Sequence, residues 1–76
     1  MNEQLNNILV FATNIKTEIE KQKIALLLNA NVEIIKWNID QEDIDCVLRI
    51  VSNTLFPNEV MALISNQQFE CIELTT

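Results

Sequence analysis

Apolar residues recur along the chain in two alternating patterns, short strand-like runs and longer stretches with helical spacing. The run Ile8–Ala12 is short and apolar, which predicts a first strand buried on at least one face. Thr17 and Glu20 fit the capping-box pattern, so a helix is expected to begin there. Its expected apolar face comprises Ile19, Ile24, Leu27 and Leu28. Asparagines at 29 and 31 predict its end, because asparagine tolerates a left-handed helix terminus.

The second half of the chain repeats this order of patterns. Alternation over Val32–Ile39 predicts a second strand, a polar turn follows at 40–43, and Ile44–Val51 predicts a third strand. The short polar connection indicates that these two strands form an antiparallel hairpin. Pro57 suits the first position of a second helix, and Phe69–Leu74 predicts the last strand. The apolar stripe of the second helix comprises Val60, Leu63 and Ile64.

The order βαββαβ predicts one α+β domain. Each strand–helix–strand unit should be right-handed and both helices must cover the same sheet face, which leaves few topologies. We expect a ferredoxin-like sandwich, with a four-stranded antiparallel sheet in the order 4-1-3-2 and two helices on one face. The domain is expected to span 8–76, after a flexible tail at 1–7. In this sheet Cys46 and Cys71 lie about two strand spacings apart, too far for a disulfide, so both are predicted to be free thiols.

Composition narrows the possible functions. The net charge of −6, with only five basic residues, disfavours nucleic acid and anionic membranes as partners. The chain has no apolar stretch of membrane-spanning length and its first residues lack the pattern of a signal peptide, so a cytoplasmic location is expected. Histidine and glycine are both absent. The commonest general base and the glycine-rich phosphate loop are therefore missing, and we expect a protein without enzymatic activity or a cofactor.

Three segments carry a likeness to a known family. They are the segment from Val10 to Asn14 that leads into the first loop, the segment Lys36-Trp37-Asn38-Ile39-Asp40, and the ending Phe69-Glu70-Cys71. With the βαββαβ order they resemble the heavy-metal-associated domains, which include copper-chaperone-like proteins and the N-terminal modules of metal-transporting ATPases. The likeness extends from Ile8 to Leu74. It implies the ferredoxin-like fold and directs attention to the loop after the first strand, where the family has a methionine-x-cysteine-x-x-cysteine metal site.

The residues aligned with that metal site are chemically different. Ala12 takes the place of the methionine, and Asn14 and Thr17 take the places of the two cysteines. Soft metal ions such as Cu(I) need thiolate or thioether ligands, so the resemblance implies a family member without its metal site. The loop then connects two elements, with Thr17 as a helix cap, or Asn14 and Lys16 bind an anion at the helix N-terminus. Cys46 and Cys71 are either inert core residues or a rebuilt metal pair.

The predicted outer face of the sheet is the main candidate interaction surface. A solvated face should be polar at alternate positions, yet most of the residues assigned to this one are apolar. They are Leu9, Phe11, Ile35, Trp37, Val47, Arg49, Val51 and Ile72. The alternatives are that the two faces are assigned the wrong way round, or that the N-terminal tail folds over this one.

We therefore expect a non-enzymatic interaction module that forms a homodimer or another homo-oligomer, or that binds a protein partner, through this face. The alternatives are a metal-ion carrier with unconventional ligands and a small-molecule sensor domain.

Overall fold

The structure, a computed structural model, describes residues 7–74, which form four strands and two helices in the order βαββαβ. In chain order these are β1 (Asn7–Thr13), α1 (Glu18–Ala30), β2 (Lys36–Asp40), β3 (Val47–Ser52), α2 (Pro57–Ser65) and β4 (Cys71–Glu73). The flexible tail predicted at 1–7 lies outside the described residues except for Asn7, which begins β1.

The four strands form one sheet in the order β2-β3-β1-β4, and every neighbouring pair is antiparallel. Read from the β4 edge, this order is 4-1-3-2. In the two central strands Phe11 lies opposite Leu48, and Leu9 lies opposite Ile50. The predicted hairpin is present, since β2 pairs with β3. The α+β class, with a four-stranded antiparallel sheet and two helices, is confirmed.

Both helices pack on the same face of the sheet, and the core lies between them and that face. Ile24 and Leu28 of α1 and Val60 and Ile64 of α2 belong to one buried cluster with side chains from the strands. The strand residues in this cluster are Phe11, Ile39, Leu48 and Ile50. Within residues 7–74 no helix lies over the opposite face, which we call the outer face.

Local sequence signals explain where the helices begin and end. Pro57 occupies the first turn of α2, and the carboxylate of Glu59 accepts a hydrogen bond from the Phe56 N–H at 2.8 Å. Helix α1 ends at Ala30, but its cap Asn31 is extended at φ −85°, so the predicted left-handed terminus is wrong. The Asn31 Oδ1 atom instead accepts from the Glu33 N–H at 2.8 Å, which turns the chain without a positive φ. Neither helix within 7–74 has the length and apolar character that crossing a membrane requires.

Three apolar residues lie outside the pattern that the sequence predicts. Val32 and Ile44 are 98% and 92% exposed, because β2 begins only at Lys36 and β3 only at Val47. Ile19 is also exposed, in the first turn of α1. Before β3 the backbone passes through φ 43° at Cys46, a left-handed conformation that breaks strand alternation. The last strand is shorter than predicted as well, beginning at Cys71 rather than Phe69.

Candidate interaction surface

The loop between β1 and α1 is held by the side chains of Thr13, the last residue of β1, and Asn14, the first residue of the loop. The hydroxyl of Thr13 donates to the carbonyl oxygen of Cys46 at 2.7 Å and accepts from the Ile15 N–H at 3.2 Å. The Oδ1 atom of Asn14 accepts from the Glu70 N–H at 2.8 Å and so ties the loop to the segment before β4. The residue aligned with the first metal-binding cysteine therefore has a structural partner.

The N-terminus of α1 is occupied by a carboxylate from its own first turn. Thr17 Oγ1 accepts from the Glu20 N–H at 3.1 Å. In return, Glu20 Oε1 accepts from the backbone N–H groups of Lys16 and Thr17 at 2.9 and 3.1 Å. The capping box predicted from the sequence is confirmed. An external anion at this terminus would have to displace the Glu20 carboxylate, which weakens the anion-site alternative for Asn14 and Lys16.

A third contact to the loop comes from the segment after β2. Gln41, which follows β2, donates from its Nε2 atom to the carbonyl oxygens of Ile15 and Thr17 at 3.3 and 2.9 Å. Sequence reasoning missed this contact, because Gln41 is 26 residues from Ile15 and 24 residues from Thr17. The loop is thus fixed at Asn14, at Thr17 and by Gln41, as expected of a structural connection.

The capping carboxylate makes stability depend on pH. Hydrogen bonds from the backbone N–H groups of Lys16 and Thr17 lower the pKa of Glu20 from its usual 4.5. The ionised form thus stabilises the fold fully above pH 4.5, and this contribution is lost as the pH falls through the lower folded-state pKa. We expect Glu20→Gln to reduce the free energy of unfolding at pH 7, and the difference from wild type to shrink in acid. Urea unfolding of both proteins across this pH range measures it.

Glu18→Gln is the matched control, since Glu18 lies in the same first turn and its side chain makes no hydrogen bond within residues 7–74. Its difference from wild type should be small at every pH. A Glu20→Gln deficit that stays constant from neutral pH to pH 3 would show that the carboxylate's charge does not act through the cap.

Cys46 and Cys71 are both free, as the strand spacing predicts. Thr13 lies between them, because it is opposite Cys71 in the β1–β4 pair and donates to the Cys46 carbonyl. Cys46 is buried, and partial burial raises the pKa of the Cys71 thiol to about 11. The thiolate that binds soft metals is therefore disfavoured at neutral pH. Residues 7–74 contain no group of three or more acidic, cysteine or histidine side chains placed to hold a metal ion.

The sequence assigned three residues to the wrong face of the sheet. Phe11 is fully buried in the core, and Leu9 and Trp37 pack against it beneath the helices. Both faces of β1 are apolar, so alternation alone does not decide which one is covered, and the largest side chain gains most from burial. Trp37 also donates from its indole N–H to Asn29 Oδ1 at 2.8 Å, at the end of α1. The prediction failed there because it began the strand at Val32, so that Val32 and Ile34 made the other set of alternate residues look apolar, whereas the strand begins only at Lys36.

The other predicted surface residues remain outside the core cluster. Val47, Arg49 and Val51 alternate with the buried residues of β3 and so belong to the outer face, as does Ile72 of β4. Ile35 is exposed but precedes β2 rather than belonging to it. Only Arg49 and Ile72 of these outer-face residues are exposed, since Val47 and Val51 are covered by their neighbours.

The outer face that results is apolar at one side and polar at the other. Its apolar residues are Ile8, Val10, Ala12, Val47, Val51, Ile72 and Leu74. Ile8 and Ile72 are 64% and 65% exposed. Sequence reasoning missed Ile8, Val10 and Ala12 because it placed Leu9 and Phe11 here instead, and it assigned Leu74 to neither face. Strand β2 supplies the polar side with Lys36, Asn38 and Asp40.

A groove of about 250 Å³ lies on this face between β1, β3 and β2. Ile8 and Val51 supply apolar walls, and Lys36, Asn38 and Arg49 supply polar ones. Trp37, whose side chain packs against the core, also borders the groove. Two of the chain's five basic residues thus flank one apolar depression, and within residues 7–74 neither donates a side-chain hydrogen bond.

Comparison with known protein families, with curated protein sequences and with solved structures finds no match for this chain. The resemblance to heavy-metal-associated domains thus stays a prediction from the sequence.

Proposed function

We propose that this chain is a non-enzymatic interaction module that binds a protein through the outer face of its sheet. The main support is the exposure of two isoleucines, Ile8 and Ile72, which are both nearly two-thirds exposed. They lie on a sheet face that no helix covers within residues 7–74. Single exposed apolar residues are ordinary, but here they adjoin Val10, Ala12 and Leu74 on neighbouring strands. Contiguous apolar surface of this kind marks interaction sites in small proteins.

We infer a ferredoxin-like sandwich as the fold that presents this face. The support is the βαββαβ order, the fully antiparallel sheet and the packing of both helices against one side. In such an arrangement the helices bury one sheet face and leave the other for a partner.

The geometry gives less support to a metal carrier. Asn14 and Thr17 each accept a hydrogen bond from a backbone N–H, and burial holds the Cys71 thiol in its protonated form. A sensor domain has no specific observation in its favour either. The interaction module is therefore the function that we put forward.

The test compares two apolar-to-charged substitutions at similarly exposed positions. Ile72→Glu places a charge on the outer face, and Leu26→Glu places one on the solvent side of α1, where Leu26 is 78% exposed. Association is measured for the full chain by sedimentation of the pure protein and by quantitative pull-down with a tagged copy. We expect Ile72→Glu to lose at least about ten-fold of any association, because a charge is then desolvated at the interface, while Leu26→Glu associates as wild type does.

Circular dichroism establishes that both variants are folded. Association that survives Ile72→Glu, or that is lost equally with Leu26→Glu, would contradict the proposal. A wild-type chain that binds neither itself nor any other protein would contradict it as well.

A further inference from the structure

On the outer face, positive and negative side chains are separated along the direction of the strands. Lys36 and Asp40 lie at opposite ends of β2, with side chains on the same face and about 13 Å apart. Beyond Asp40 the loop to β3 adds Glu42, Asp43 and Asp45, all exposed. One end of the face is therefore mainly acidic, although Lys16 lies there beside Asp45 and Glu70, and the other end carries Lys36, with Arg49 between the two ends on the adjacent strand.

Such a face is complementary to itself when one copy is turned end for end. A two-fold axis in the interface, perpendicular to the strands and passing by Asn38, exchanges the two ends of β2. It places Lys36 of each copy opposite Asp40 of the other. It also exchanges the two rows of paired residues on either side of the axis. One row contains Lys36 and its β3 partner Val51, and the other contains Asp40 and its β3 partner Val47.

The same rotation brings apolar residues from opposite ends of the two copies together. Ile8 shares the level of Val51, while Ala12 and Ile72 face each other at the Asp40 end of the sheet. In the turned arrangement the large Ile8 side chain of one copy meets the small Ala12 of the other, so a bulky residue lies against a small one. At the acidic end Ile44, which is 92% exposed, lines a depression with Ala12 and Ile72, and this end of one copy meets the Ile8 end of the other.

We propose that the outer face binds a second copy of this chain in this antiparallel orientation, with Lys36 of each copy paired with Asp40 of the other. This inference rests on the proposed function and adds the identity of the partner. Four strands at about 4.8 Å and six residues at about 3.3 Å give a footprint of about 400 Å² per copy. That is small for a stable dimer, so the complex is weak and its charges decide the orientation.

Arg49 contributes to the weakness of the complex. It lies close to the two-fold axis, so the two copies of Arg49 approach each other. Asp40 of the second copy is one diagonal step away, within reach of the long guanidinium side chain. Asp40 of one copy can thus interact with both Lys36 and Arg49 of the other.

Charge exchange at positions 36 and 40 tests the orientation. Lys36→Glu places Glu opposite Asp40, and Asp40→Lys places Lys opposite Lys36, so each single variant carries two like-charge contacts per dimer. We expect each to weaken self-association at least about ten-fold at low salt. An equimolar mixture of the two variants should recover it as a heterodimer, since both contacts are then Glu with Lys or Lys with Asp. Sedimentation equilibrium of the pure proteins up to high micromolar concentration measures all three samples.

Glu33→Lys is the control for the net charge of Asp40→Lys, because both raise it from −6 to about −4 and Glu33 is exposed outside the sheet. It should dimerise as wild type does or slightly better. Recovery in the mixture supports the proposal, and single variants that dimerise normally, or a mixture that stays monomeric, overturn it. A wild-type chain that is monomeric throughout also overturns it, while loss of another protein by Ile72→Glu in the pull-down would leave the proposed function standing.

Discussion

Phe11→Ala is expected to remove a large part of the free energy of unfolding. Phe11 is fully buried in the middle of the sheet, opposite Leu48 and beneath both helices. Removing a buried phenylalanine side chain lowers the free energy of unfolding by about 3–5 kcal/mol. A domain of 76 residues has about 4–11 kcal/mol in total, on the usual per-residue scale. Urea unfolding followed by circular dichroism measures the loss.

Ile8→Ala is the matched control on the same strand. Ile8 is 64% exposed on the outer face, and truncation there should change the free energy of unfolding by about 0.5 kcal/mol or less. The two substitutions differ by several kcal/mol only if Phe11 and Ile8 face opposite sides as described. Equal effects would mean that the outer face is covered in the native protein.

Ser52→Ala should have the second-largest effect, although it removes a single oxygen atom. Ser52 is fully buried at the end of β3, and its Oγ accepts from the N–H groups of Thr54 and Leu55 at 3.1 and 3.0 Å. With alanine both donors lose their acceptor, and the Leu55 N–H is buried away from water. An unsatisfied buried donor destabilises by about 1–3 kcal/mol, so we expect a loss of about 2–3 kcal/mol in the same urea experiment.

Ser65→Ala controls for the chemical change. Its hydroxyl is exposed at the end of α2 and donates to the carbonyl oxygen of Ala62 at 3.3 Å, so no backbone donor is left without an acceptor. Its removal should be nearly neutral, or slightly stabilising because alanine is the better helix former. If Ser52→Ala is as mild as Ser65→Ala, the turn after β3 does not depend on this hydroxyl.

The β1–α1 loop has one contact that could be predicted from the sequence and one that could not. The Thr17 and Glu20 cap was predictable, because its partners are three residues apart and its chemistry is local. The Asn14 contact with the Glu70 N–H joins residues 56 positions apart and depends on how β4 lies beside β1. A sequence pattern can reveal partners that are a few residues apart, but not partners that only the fold brings together. The fold class followed from the pattern, while the state of Asn14 did not.

The sheet faces show a second limit. In β3 the predicted division was correct, since Leu48 and Ile50 are buried in the core cluster while Arg49 is exposed. In β1 both sets of alternate residues are apolar, so the pattern has no polar side to mark the solvent. The face there is decided by packing of Phe11 beneath the helices. The other set of alternate residues in β1, which includes the 64% exposed Ile8, is then left on the outer face.

Turns without glycine also escaped prediction. The chain contains no glycine, yet Cys46 and Gln68 have φ values of 43° and 69°. These are left-handed conformations that side chains with a Cβ atom adopt at a cost of about 1 kcal/mol. Gln68 follows α2, where the heavy-metal-associated domains usually have glycine, and it turns the chain toward β4.

Strand β2 forms one edge of the sheet, and its backbone groups on that side have no partner strand within residues 7–74. An open edge invites strand addition, which leads to continuous fibrils rather than closed assemblies. Here the edge alternates Lys36, Asn38 and Asp40 with core residues, and charged side chains disfavour a further strand. The opposite edge, β4, is only three residues long. Both edges thus disfavour the addition of further chains by strand pairing, and assembly through the outer face would stop at a pair.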